Sequence, residues 1–116
     1  MPTAVTIVTE RGPVLCSRCA LADSPLKRMR GLLGRKHLAS GEGLLVRPAP
    51  AIHTWFMRFA IDVVFLDRDL RVLSVRHGVR PWRMAAQRRA RAVLELRAGE
   101  AERCGVEPGD RLEVSP

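Results

Sequence analysis

At 116 residues and 47% hydrophobic content, the chain is long enough for one self-sufficient core, too short for two, and too apolar for disorder. No stretch reaches the ~18 apolar residues of a membrane span, and the N-terminus lacks the basic and apolar regions of a secretory leader, so a cytoplasmic chain is expected. A formal charge of +8 and a pI near 11.1 favour anionic partners, although an arginine-biased composition gives the same total without any functional patch.

Residues 5–9 are a β-branched run that ends at Arg11-Gly12-Pro13, which predicts a strand and a turn. Residues 14–22 predict a second strand. Strict alternation puts Cys16, Arg18 and Ala20 on one face and Leu15, Ser17, Cys19 and Leu21 on the other. The Cys16-x-x-Cys19 spacing invites a zinc or redox reading. Thiols on opposite faces of a strand cannot share a metal, and no second CxxC or HxxxH completes a four-ligand set. Thioredoxin-like chemistry wants the first cysteine at a helix N-terminus, not on a strand. No metal and no cofactor are expected, and Cys16, Cys19 and Cys104 are expected to be thiols.

Ser24-Pro25 reads as an N-cap followed by the first helical position. Leu26, Met29 and Leu33 recur at helical spacing, and Gly34 stops the pattern, so a main helix is expected over residues 25–34. Residues 39–43 form a loop. It is not a phosphate cradle, because no Lys-Ser/Thr follows its glycines. Residues 44–46 are a short strand, broken by Arg47-Pro48-Ala49-Pro50. Residues 52–59 and 61–66 follow as two strands, or as one strand bent near Ala60.

Arg68-Asp69 is a tight turn into a strand over residues 71–75, which makes a hairpin with residues 61–66. From Arg76 to Arg91 the alternation fails, and His77-Gly78, Pro81 and a dense arginine set predict an exposed irregular segment. Residues 92–96 are the next strand, residues 100–104 a helical turn, Pro108-Gly109 a type II turn, and residues 111–114 the closing strand. The expected fold class is α+β: a mostly antiparallel curved sheet or small β-barrel, with the 25–34 helix packed on it and a short C-terminal helical turn.

Several ordered blocks carry a family resemblance. They are Arg28-x-x-Gly31-Leu32-Leu33-Gly34-Arg35, Glu42-Gly43-Leu44-Leu45, His53-Thr54-Trp55-Phe56-Met57-Arg58 and Ile61-Asp62-Val63-x-Phe65-Leu66-Asp67. Val93-Leu94-Glu95-Leu96 with Ala98-Gly99, and Gly109-Asp110 with Leu112, complete the series. Together they resemble the DUF192 family over nearly the whole chain. The resemblance implies one small α+β domain with no established activity. Many members carry a signal peptide, and this chain departs from them by showing none. Leu33 stands where members commonly have methionine, and Ala60 where they often have proline. Both changes are conservative for packing.

The central stretch holds the candidate site. Alternation places His53, Trp55, Met57 and Phe59 on one face, and Ile52, Thr54, Phe56 and Arg58 on the other. His53 is either a hydrogen-bonded core residue or the tunable lining of an apolar pocket. Asp62 among apolar neighbours needs partners, and the sequence candidates are Arg58, Arg28 and Arg30. Asp67 is expected to stabilise its turn. Within residues 76–91, Arg76, Arg80, Arg83, Arg88, Arg89 and Arg91 stand without an acid, so phosphate contact is their functional reading and a solvated loop the alternative. Trp82 is expected to plug that loop onto the body.

Three functional readings are open. The first is a non-enzymatic binding or accessory domain, with an anionic small molecule or a protein partner in a pocket between helix and central strands. The second is a small hydrolase or lyase that uses His53 and Asp62 as acid and base. The third is a nucleic-acid accessory protein acting through the basic 76–91 loop. A membrane partner is not expected.

Overall fold

The β-branched runs become the strands of a mixed sheet. A computed structural model describes residues 4–22 and 37–116. In chain order its elements are β1 (Ala4–Thr9), β2 (Val14–Ala22), β3 (Glu42–Val46), β4 (Ala51–His53) and β5 (Ile61–Leu66). They continue with β6 (Val72–Val79), β7 (Met84–Ala86), β8 (Ala92–Arg97), the one-turn helix α1 (Glu100–Arg103) and β9 (Leu112–Ser115). Seven strands form one sheet in the order β6-β5-β8-β3-β2-β1-β9, and β4 and β7 form a separate two-stranded ribbon.

The sheet corrects the expected fold class. The described residues are nearly all-β, with a single short helix, not α+β around a main helix. The expected 25–34 helix, with Arg28 and Arg30, lies outside the described residues. The sheet is also mixed: β2 and β3 run parallel and the other neighbours antiparallel. A parallel pair needs a crossover of a dozen or more residues, and the β2–β3 connection over residues 23–41 is long enough to supply one. Among the described residues no closed barrel forms. The two edges of the sheet meet around the Arg71–Arg111 bridge, where the Val72 N–H donates to the Asp110 carbonyl, the Leu112 N–H to the Leu70 carbonyl and the Gly109 N–H to the Val72 carbonyl.

Alternation along β5 and β8 sorts the core onto two faces. Val64, Leu66, Leu94 and Leu96 join Ile7, Leu15, Ala101 and Leu112 on the first. Ile61, Val63, Phe65 and Val93 join Leu44, Val46 and Met57 on the second, where Ile52, Phe59 and Ala85 bring the ribbon onto the sheet. Burial of each large apolar side chain contributes about 1.5–3 kcal/mol. Gly43 is fixed by this packing, because a Cβ there would stand 2.8 Å from the Glu95 carbonyl oxygen on β8.

Three local expectations change with the register. Cys16 and Cys19 share one face, because β1 spends two residues (Val5 to Ile7) opposite the three-residue step from Cys16 to Cys19. That bulge resets the alternation, so both thiols are buried in the same core. The strand expected over residues 52–59 ends at His53, and Phe56 at φ 65° takes the chain out of extended geometry. The irregular segment expected from Arg76 instead extends β6 to Val79 and contains β7.

Candidate functional site

The ribbon pairs Ala51 with Ala86, Ile52 with Ala85 and His53 with Met84. Beyond His53, the fully buried Thr54 fastens its open end. Its hydroxyl donates to the Arg80 carbonyl at 2.6 Å and accepts from the Arg83 N–H at 2.9 Å. Its own N–H donates to the Arg83 carbonyl, and its carbonyl accepts from the Trp82 and Met57 N–H groups. One small side chain thus ties residues 54–57 to residues 80–83.

This knot turns apolar side chains outward. Trp55 is 41% exposed, Phe56 69%, Trp82 56% and Met84 69%, whereas Met57 points into the core. The Phe56 and Trp82 rings meet at 4.6 Å between centroids, and His53 stacks on Trp55 at 4.7 Å. Phe56 and Trp82 both hold φ near 65°. A bulky residue in the left-handed region costs on the order of 1–3 kcal/mol, and such strain clusters where a site must be held in shape. Trp82 therefore does not plug its loop onto the body. It stands on the surface with Phe56, and the Thr54 carbonyl accepts from its backbone N–H.

The sequence-derived site residues are dispersed around this patch. His53 and Trp55 are part of it, and the exposed Arg58, Arg80 and Arg83 lie on its connecting segments. Arg76 is exposed on β6, and Arg88, Arg89 and Arg91 are exposed on the approach to β8. Asp62 lies elsewhere. It is fully buried, and its neighbours Ile61 and Val63 pack on the ribbon side, so its carboxylate points to the opposite face. There it accepts hydrogen bonds from the N–H groups of Gly78, Gly99 and Ala101 at 2.9, 2.9 and 3.0 Å. Among the described residues its partners are backbone amides and not Arg58, whereas Arg28 and Arg30 lie outside the described residues. The sheet separates His53 from Asp62, and no cavity lined by the described residues holds both.

One acid escaped the sequence reading. Glu95 lies on β8 between Leu44 of β3 and Val63 of β5, on the ribbon side, and is only 7% exposed. Burial pushes its carboxyl up to about 7. The signal was present in Val93-Leu94-Glu95-Leu96, an acid at an inward position of an apolar strand. Among the described residues no group of three His, Cys, Asp or Glu side chains is placed to hold a metal ion, and no helix is long and apolar enough to cross a membrane.

Similarity to known proteins agrees with the fold. The profile of DUF192, described as an uncharacterised group, matches residues 6–114. A UPF0127 protein of Pyrococcus furiosus is 38% identical over 79% of this chain and 82% of its own length. A solved structure from Sinorhizobium meliloti 1021, named as a candidate transcription regulator, superposes with a TM-score of 0.83 at 29% identity. The superposition covers 95% of this chain and 91% of that one. A protein of unknown function from Novosphingobium aromaticivorans DSM 12444 superposes with a TM-score of 0.79 at 28% identity, over 97% and 84% of the two chains.

Proposed function

The chain belongs to the DUF192 family, and from that premise we propose that it is a non-enzymatic binding domain whose anionic ligand is single-stranded nucleic acid. The ligand docks on the open end of the β4–β7 ribbon. The observation that carries this reading is the exposed Phe56–Trp82 pair, held outward by the buried Thr54 knot and flanked by Arg80 and Arg83. Bases stack on aromatic faces with about 1–3 kcal/mol each, without regard to sequence, and guanidinium groups follow the backbone. The name given to the Sinorhizobium relative points the same way. Cytoplasmic residence goes with this role.

The pocket first expected between helix and central strands involves residues 25–34, which lie outside the described residues. Acid–base catalysis by His53 and Asp62 finds no support in a geometry that places them on opposite faces of the sheet.

Fluorescence anisotropy with a labelled single strand of about a dozen nucleotides at low salt tests the proposal. Wild type binds, and Phe56→Ala or Trp82→Ala weakens binding about tenfold or more. Arg80→Gln lowers the salt dependence by roughly one phosphate contact. Absence of binding at low salt, where the electrostatic contribution is greatest, overturns the reading.

A further inference from the structure

A second basic feature lies beyond the other end of the ribbon, past the Ala51–Ala86 pair. Two adjoining cavities of about 290 and 270 Å³ share Asp67, Arg68 and Arg91 as walls. Arg47, Pro48, Leu70 and Ala92 complete the first, and Asp69 and Arg89 the second. The four arginines come from three separate segments. The Arg91 N–H donates to the Leu66 carbonyl and the Arg91 carbonyl accepts from the Ala49 N–H, which holds those segments together. Arg89 sits at φ 72°, a conformation that non-glycine residues rarely adopt.

None of these four guanidinium groups has a hydrogen bond or ion pair within the protein among the described residues. Asp67 is already engaged, with one carboxylate oxygen accepting from the Asp69 and Arg71 N–H groups at 2.8 and 2.9 Å. Four arginines against Asp67 and Asp69 leave the lining two positive charges in excess.

We propose that this double cavity binds a phosphomonoester of a small organic molecule. A phosphomonoester is close to a dianion at neutral pH and matches the local excess of two. The forked donors of Arg68, Arg89 and Arg91 suit its oxygens. Pro48, Leu70 and Ala92 offer an apolar wall to the organic part. A nucleic-acid strand fits worse, because its successive phosphodiesters would have to pass Asp67 and Asp69. The site is separate from the aromatic end of the ribbon, so it stands or falls independently of the nucleic-acid reading.

Phenyl phosphate titrated into the ¹⁵N-labelled protein at low ionic strength tests the site. Saturable shifts are expected at residues 67–70 and 89–92, and Arg68→Gln and Arg91→Gln should each weaken binding at least tenfold. Arg68 lies in an exposed turn, so its variant keeps the test valid even where the Arg91 variant unfolds. Inorganic phosphate should bind more weakly, and dimethyl phosphate should not bind. No saturable shift in wild type, shifts confined to residues 53–56 and 80–84, or undiminished binding by the Arg68 variant would overturn the proposal. An equal response to phenyl phosphate and to sulfate would also overturn it, as the mark of an adventitious anion.

Discussion

Replacing Glu95 by glutamine should flatten part of the protein's pH–stability profile. The carboxyl lies between Val63 and Leu44 and is raised by burial from its ordinary 4.5 to about 7. The folded state therefore holds this proton more tightly than the unfolded chain does. Between pH 4.5 and 7 the unfolded chain has released the proton while the folded protein still binds it, so stability falls as pH rises. The loss begins near the unfolded value, is complete just above pH 7, and does not recur at higher pH. A separation of roughly 2.5 pH units at 1.36 kcal/mol each comes to about 3 kcal/mol, or on the order of 10 °C in melting temperature for a domain of this size. Other carboxylates titrate over the same range, so the assay is the difference between wild type and Glu95→Gln, from urea unfolding at half-unit steps from pH 4 to 8. Glutamine cannot ionise, so relative to wild type the variant should gain about 3 kcal/mol across that interval. A difference that stays flat with pH would refute the reasoning and mean that Glu95 reaches solvent or a cation when charged.

Asp62→Asn should cost about 2–3 kcal/mol in chemical denaturation, because three backbone N–H donors, that of Ala101 buried, lose a carboxylate acceptor and an amide NH₂ turns toward at least one of them. A loss below about 1 kcal/mol would mean that water replaces the carboxylate. Thr54→Val keeps the shape but leaves the Arg80 carbonyl and Arg83 N–H without their hydroxyl partner, for a cost of about 1–3 kcal/mol. Amide exchange at residues 80–83 should rise with it, and unchanged exchange would show that the knot does not depend on this hydroxyl. Ellman's reagent should modify Cys104 alone in the native protein, because Cys16 and Cys19 are fully buried, and all three after unfolding. Rapid native modification of a second thiol would contradict the bulged β1–β2 register.

Much of the local structure was legible in the residue pattern. The hairpin came from apolar runs around Arg68-Asp69, and β5 and β6 pair as expected, with Val64 opposite Val75 and Leu66 opposite Val72. Asp67 serves its own turn, and Gly109 at φ 96° sits in the turn expected at Pro108-Gly109. The site was less legible. His53 and Trp55 were identified, but the neighbouring pair Phe56 and Trp82 was read as a face of a strand and a plug. Asp62 was recognised as needing partners, yet those partners are main-chain amides, which carry no signature in sequence.

The sequence by itself determined the single domain, the positions of most strands and turns, the basic character and the family blocks, because periodicity and turn chemistry act over a few residues. The tertiary structure decided the rest. It made the sheet mixed and open, put Cys16 and Cys19 on one face through a bulge, and brought Thr54 to residues 80–83. It also separated His53 from Asp62 and gathered Arg47, Arg68, Arg89 and Arg91 around one pair of cavities. The physical reason is common to all of these. A one-residue change in register reverses which face a side chain takes, and contacts between distant segments are set by strand pairing and packing across the whole chain.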